Sequence, residues 1–367
     1  MQVHRREHSA KHVLVIGGEE ASRTYVLDLE VRVGCCALRM GGIADVATRE
    51  EHRNRGYARK VLNHCLEWMA AEGYDITMLI GIPDFYPKFG YATVMPEYRL
   101  EIPVEMLEPV ESGLTVRPAE ESDREAIIAI YNATNATRSG TLTRRPDRWR
   151  WFESGTNWEI AVSCVAVCEG DKVVGYGVFD DEPGTARVAD VAALSEKAYR
   201  SLLVHFRERA KTEKRDAVSV CAPIDHPFAY LARRLGCEVR VGFPRAGEGM
   251  ARIIHLRPTM QKLLPELNRR LIGTAFRAWS GSLIVRTDIG ALGLRCASGQ
   301  WSLEGEGEQE PGIELPQWAL IQLLMGYRTV ADVLSSGDGK LVGQPDAGLL
   351  DALFPAQWPH MWPTDRF

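Results

Sequence analysis

Residues 41 to 70 run without a break from an apolar strand pattern through a basic glycine loop into an amphipathic helix. That order restricts the chain to α/β architectures in which a helix start faces the end of a strand. The strand pattern covers Gly41 to Ala47, and the helix is marked by Val61, Leu62, Cys65, Leu66, Met69 and Ala70 at helical spacing. Between them lies Arg53-Asn54-Arg55-Gly56-Tyr57-Ala58. Free amides and partial positive charge at the helix start, with no side chain at Gly56, make a cradle for a bulky anion. Arg53, Arg55, Arg59 and Lys60 add fixed cations, which suits a pyrophosphate. The same residues also read as an ordinary strand-to-helix turn with a solvated basic face, so the loop needs a second signal.

The second signal follows the helix and Gly73. A strand pattern, Ile76 to Ile80, leads into Phe85-Tyr86-Pro87-Lys88-Phe89-Gly90-Tyr91. This order, R-x-x-G-x-A and then helix, strand and Y-x-x-x-G-Y, resembles the Gcn5-related N-acetyltransferase (GNAT) family. The resemblance implies that the loop grips the pyrophosphate of acetyl-coenzyme A and that Tyr86 protonates the departing thiolate. Tyr86 beside Phe85 and Phe89 reads otherwise as an aromatic core residue, and Tyr91 is assigned to packing.

A length of 367 residues points to two or three domains, and 45% hydrophobic residues can fill that many cores. No apolar run reaches the ~18 residues of a membrane span, and MQVHRREHSAK has no signal-peptide core, so a cytoplasmic protein is expected. The 8 cysteines form no C-x-x-C pair, which predicts reduced thiols and no metal site. A net charge of -5 argues against a nucleic-acid partner and is compatible with a cationic small substrate.

Three segments are expected. The first, residues 1–110, carries the loop and Tyr86, with strands near His12 to Ile16, Ser22 to Val33, Ala37 to Ala47 and Ile76 to Ile80. The second, 111–256, repeats that plan: a Ser122/Glu125 capping box, strands at Ile160 to Cys168, Lys172 to Phe179 and Arg187 to Leu194, a helix capped by Ser195, and a strand at Ala217 to Cys221. It lacks an arginine-glycine loop at Ala192 to Ala198, and Ala232 stands where Tyr86 would, so it should bind no coenzyme. The third, 257–367, opens on a strand hairpin (residues 281–297) and resembles a sterol-carrier-protein-like domain; its Leu, Ile and Trp residues could line a lipid cavity or close a core. The fold class is thus α/β (α+β), with tandem acetyltransferase-like mixed sheets and a C-terminal α/β domain.

Two acetyltransferase-like domains, the second degenerate, a sterol-carrier-like domain and an aromatic tail ending in Phe367 together resemble the enhanced intracellular survival (Eis) family of bacterial acetyltransferases. The resemblance implies a primary-amine acceptor, an aminoglycoside, polyamine, lysine-like compound or peptide, and a homo-oligomer, a hexamer in that family. It names Tyr86 and the terminal carboxylate of Phe367 as the catalytic pair. Coenzyme contacts carried over are Val46, Ala47 and Thr48 on the strand and Arg53, Asn54, Arg55, Gly56, Tyr57, Ala58 and Arg59 on the loop. One departure stands out: the family's first strand and two helices, which wall the acceptor pocket, have only about a dozen polar residues in their place here.

The chemistry fits direct transfer. A tyrosine of pKa about 10 protonating a thiolate of pKa about 8.5 climbs only ~2 kcal/mol. A carboxylate taking a proton directly from an alkylammonium would climb ~9 kcal/mol, so Phe367 is expected to hold the cation and relay its proton through water. The rival reading is a non-enzymatic lipid or ligand carrier with a relic first domain.

Overall fold

Two seven-stranded sheets share one strand order, and each takes its sixth strand from the chain segment of the other. The computed structural model describes residues 1–149, 151–305 and 311–367. The first segment supplies β1 (Gln2–Arg6), β2 (Ser9–Ile16), β3 (Glu19–Val33), β4 (Cys36–Thr48), α1 (Tyr57–Ala71), β5 (Ile76–Gly81) and β6 (Ala92–Thr93). There follow β7 (Glu97–Pro103) and the short α2 (Val104–Leu107). The second segment gives β8 (Thr115–Pro118), α3 (Arg124–Thr134), β9 (Val162–Glu169), β10 (Lys172–Asp180), β11 (Arg187–Ala193) and α4 (Glu196–Thr212). It closes with β12 (Ala217–Val220), α5 (Pro227–Leu235), β13 (Glu238–Gly242) and β14 (Glu248–Ile253).

The first sheet runs β1-β2-β3-β4-β5-β14-β6 and the second β8-β9-β10-β11-β12-β7-β13. Sheet membership therefore crosses the sequence boundaries at 110 and 256. β7 pairs with β12 and β13, while β14 pairs with β5 along its whole length, Glu248 opposite Gly81 through Ile253 opposite Ile76. The hydrogen-bond ladders of the exchanged strands tie the two units into one body.

The N-terminal residues read as a polar lead-in form the edge strand β1, its polar side chains facing water as an unpaired edge favours. Among the described residues no α-helix precedes α1. Beyond the reach of β2, the edge of β3 is covered instead by the second unit: Arg32 N–H donates to Thr141 O, Thr143 N–H to Glu30 O, and Arg148 to Asp28 O. The second unit's capping box lies earlier than Ser122/Glu125, at Glu120 and Asp123.

The third segment begins with α6 (Leu256–Leu271), then β15 (Gly281–Thr287), β16 (Gly290–Ala297), β17 (Gln300–Glu304) and β18 (Gly312–Glu314). α7 (Gln317–Met325), α8 (Val330–Ser335), β19 (Lys340–Val342) and α9 (Ala347–Leu353) complete it. Its five strands run β17-β16-β15-β18-β19. Its core is continuous with the first sheet: Leu38, Met40, Ile76 and Ile253 are buried in one cluster with Met260, Leu263, Leu320 and Leu324. α7 is stapled to that sheet by side-chain amides. Gln317 accepts from Ile253 N–H and donates to Gly90 O, and Gln322 donates to Thr93 O.

The chain end is anchored in the second unit. Trp362 is fully buried there and its indole donates to Asn135. Arg144, also buried, donates to Asp190 at 2.6 Å and to Asp365 at 2.9 Å, and Thr364 donates to Asp190 at 3.0 Å. Removing the guanidinium would leave two buried carboxylates without their cation. We expect Arg144→Met to lower unfolding free energy by about 3–5 kcal/mol, measured by urea titration.

Candidate active site

β4 and β5 lie parallel and pair only from Met40/Ile76 to Gly42/Met78. Beyond that point Ile43–Thr48 and Leu79–Gly81 diverge. A bulge drives the divergence: Arg23 opposes Ala47 and Tyr25 opposes Ala44, so Thr24 faces two residues, and Asp45 takes a φ of 47°. Val46, Ala47 and Thr48 lie just past the bulge, and their β5-facing edge has no strand partner. Ser22 fixes this segment from the other side, donating to Ala47 O at 3.0 Å and lying 2.9 Å from the Thr48 hydroxyl. An open backbone edge of this kind can accept a strand-like amide ligand.

At the mouth of the cleft, Gly56 caps α1 with a φ of 73°, a left-handed conformation that costs a side-chain-bearing residue about 1–2 kcal/mol. A Cβ at Gly56 would meet nothing within 4 Å, so the space over the turn is open. No side chain caps the helix, and its first backbone bond is Lys60 N–H to Gly56 O. The amides of Tyr57, Ala58 and Arg59 therefore point outward unpaired, as the anion cradle requires. Arg53, Arg55 and Arg59 are exposed and, among the described residues, have no acidic partner. Asn54 supports the turn with its own φ of 61°.

Tyr86 opens a 3₁₀ turn, Tyr86–Phe89, that ends at Gly90. The turn is held by Gln317 and Arg252, which donate to Gly90 O and Phe89 O. The Tyr86 ring packs against the end of β5, where a Cβ on Gly81 would stand 2.8 Å from its Cδ2. Val46 packs on the same apolar cluster. Burial pushes the Tyr86 phenol above the ordinary tyrosine value, so it keeps its proton at neutral pH. Tyr91 is differently placed. Thr77 donates to Gly41 O at 2.7 Å, so the Tyr91 hydroxyl, 3.0 Å from Thr77 Oγ1, must donate to it. Tyr91 has its proton committed; Tyr86 has no hydrogen-bond partner among the described residues. Cys65 is core: fully buried, with its thiol pushed well up by desolvation.

The Phe367 ring lies on the face of the sheet opposite α1, whose Met69 packs at Gly41. A Cβ on Gly42, the last residue paired with β5, would stand 2.7 Å from Phe367 Cε2, so the missing side chain at Gly42 makes room for the ring. Trp362 anchors the tail upstream, whereas Trp358 is exposed and packs edge-on against Tyr98. Sequence reasoning missed Glu248. It opens β14, opposes Gly81, and lines a cavity of about 210 Å³ with Ile80, Trp158, Pro363 and Arg366. Burial and the neighbouring Glu97 raise its carboxyl, while Arg366 lowers it. Its only sequence signal was an acidic residue at the start of a largely apolar strand pattern.

The second unit repeats the frame without the cradle. β11 and β12 pair only at Arg187/Ser219 and Val188/Val220, but Ser195 caps α4 and its hydroxyl accepts the Ala198 amide at 3.2 Å. Asp190 of β11 is occupied by Arg144 and Thr364, which brings the tail onto that strand. All 8 cysteines are free, and no group of His, Cys, Asp and Glu able to hold a metal occurs among the described residues.

Comparison with known proteins gives the class. Residues 2–94 match the family model described as an acetyltransferase (GNAT) domain. The chain is 34% identical over 94 residues to the "Putative phosphinothricin acetyltransferase YwnH" of Bacillus subtilis. That match covers 24% of this chain and 56% of that protein, so the chain spans about half the length of the relative it matches. A GCN5-related N-acetyltransferase of Anabaena variabilis superposes with a TM-score of 0.74 at 20% identity, covering 98% of this chain and 90% of that one. Eis1 of Mycobacterium abscessus gives 0.69 at 17% identity, with 99% and 91% covered. The first unit is thus an acetyltransferase (GNAT) domain, and the three-unit fold is shared with these structures.

The open turn makes a direct prediction. Gly56→Glu puts an anion where the amides and arginines face, so coenzyme A affinity should fall at least about tenfold by titration calorimetry, with far-ultraviolet circular dichroism unchanged. Unchanged affinity would place the pyrophosphate elsewhere.

Proposed function

We propose that the protein is an acetyl-coenzyme A-dependent N-acetyltransferase that transfers acetyl directly to a primary amine. The observation that carries this reading is the conjunction of an uncapped α1 N-terminus, a splayed β4 edge and the uncommitted hydroxyl of Tyr86 around one cleft. The pyrophosphate lies on the amides of residues 57–59 with Arg53, Arg55 and Arg59 around it, and the pantetheine arm runs along Val46 to Thr48 as an extra strand. The neutral amine attacks the thioester carbonyl, the C–N bond forms and the C–S bond breaks. The sulfur takes the Tyr86 proton, and the amine's surplus proton leaves through water towards a carboxylate. The terminal carboxylate of Phe367 serves there, with Glu248 at the start of β14 as a second candidate carboxylate.

The second unit takes no coenzyme in this reading, because Ser195 already satisfies the amide that an anion would need. The third unit acts as a sterol-carrier-like scaffold. The rival carrier reading is less well supported. The apolar residues of the third unit, among them Leu283, Leu294, Leu320 and Leu324, are buried in a packed core. A larger hollow of about 800 Å³ in that unit is lined by Arg286, Asp288, Glu314 and Lys340, which does not suit an alkyl chain. No described helix is long and apolar enough to cross a membrane. A hexameric assembly is what the family resemblance implies, and light scattering of the purified protein tests it.

Two experiments test the chemistry. Tyr86→Phe should keep coenzyme binding and lower turnover by about 10²-fold or more, the scale of a lost general acid. Because burial raises this phenol, wild-type turnover should not fall on the alkaline side until pH exceeds the ordinary tyrosine value of about 10. Extending the chain past Phe367, or deleting that residue, should cut kcat/KM by about a hundredfold without unfolding the protein, worth ~2.7 kcal/mol of transition-state binding. Full activity in a C-terminally extended protein would leave Phe367 a packing residue.

A further inference from the structure

Three adjoining hollows form one trough leading away from the candidate active site. The first, about 210 Å³, holds Ile80 and Glu248. The second, about 310 Å³, shares Thr156, Pro363 and Arg366 with it and adds Glu97, Arg99 and Arg240. The third, about 510 Å³, shares Arg99 and continues to Arg187, Lys214 and Arg215. The floor is the outer face of the second sheet: Glu97, Arg99 and Glu101 alternate along β7 with the buried Tyr98, Leu100 and Ile102.

Charge is unevenly distributed along this trough. The end at the active site carries Glu248 and Glu97, with Arg366 donating to Glu97 at 2.7 and 2.9 Å. The far end carries Arg99, Arg187, Lys214, Arg215 and Arg240 against Glu101 and Asp216. Arg99 and Arg240 are direct cross-strand partners, an arrangement that destabilises a sheet unless something offsets it. Arg240 is paired with Glu238. Arg99, Lys214 and Arg215 have no ion pair among the described residues, and Glu101 accepts only the Ser219 hydroxyl, at 2.8 Å. A surface that holds like charges face to face beside a cavity edge with two carboxylates to one arginine is matched to a ligand of both signs.

We infer that the acceptor is a peptide whose amine enters at Glu248 and whose acidic side chain is held by Arg99 and Arg240. The inference rests on the acetyltransferase reading and adds the acceptor class to it. From Glu97 to Arg99, where the basic end begins, is about 7 Å along the strand, and Glu101 lies about as far again. An extended peptide spans ~3.3–3.6 Å per residue, so the acidic group falls two to four residues from the reacting amine. A compact polycation would gain at the near end and be repelled at the far one.

The test uses blocked pentapeptides with a single lysine and, three positions on, glutamate, glutamine or arginine. The full chain is assayed for thiol release with acetyl-coenzyme A and, separately, for binding of fluorescently labelled peptides by anisotropy. The glutamate peptide should exceed the glutamine peptide by about five- to tenfold in kcat/KM and in affinity, and the arginine peptide should be weakest. In Arg99→Glu that order should reverse. The variant replaces a like-charged cross-strand pair by an opposite one, so it should fold at least as stably, which a thermal melt checks. Equal handling of the three peptides, or an unchanged order in the variant, overturns the inference. If small amines still release thiol in that case, the acetyltransferase reading stands without it. If peptides bind in the expected order but no amine is acetylated, the trough stands and the chemistry falls.

Discussion

Arg144 is buried with its guanidinium between Asp190 and Asp365 and over the ring of Tyr131, whose centroid lies 3.7 Å away. Burial alone would favour the neutral form, but the two carboxylates keep the arginine charged. Its geometry ties three distant parts of the chain together: the loop before β9, strand β11 and the C-terminal turn. Breaking such a network strands charges in the interior, which is costlier than the network is stabilising. Its consequence is positional, because it fixes the tail two residues before Phe367.

The duplicated frame has been put to two uses. In both units a pair of parallel strands separates after two or three paired residues, and a helix starts beside the gap. The first unit leaves its helix uncapped behind Gly56; the second closes the corresponding amide with Ser195 and sets Asp190 to hold Arg144 and Thr364. The difference between a ligand cradle and an anchoring surface comes down to one cap and one buried carboxylate. The second unit thereby holds the C-terminal turn, and the exchanged strands β7 and β14 tie the two units together.

Acidic and basic groups around the cleft are segregated, which is compatible with the proposed cationic acceptor. Cations surround the α1 start, where phosphate charge is expected, and carboxylates Glu97 and Glu248 lie beyond the end of β5. Tyr86 stands at the end of β5 between them, its turn held from the third unit by Gln317. In the proposed chemistry, the burial that raises its phenol would make proton transfer to sulfur steeper than the ~2 kcal/mol of an ordinary tyrosine while keeping the donor protonated through the neutral range.

What the sequence by itself determined is local. Helix α1, the strands flanking it, the glycine turn and the Tyr86 motif were all legible because periodicity and turn chemistry act over a few residues. The degeneracy of the second loop was legible for the same reason, since Ser195 reads as a helix cap. Long-range pairing was not. β7 and β14 carry ordinary strand patterns, and nothing in a two-residue alternation says which sheet a strand will join. The same limit hid Glu248, whose neighbours Ile80 and Arg366 are far away in the chain, and the Arg99/Arg240 pair, which exists only through β7–β13 register. Hydrophobic periodicity specifies which face of an element is buried; only the packed tertiary structure decides against what, because that choice is made by the sum of contacts across the whole chain.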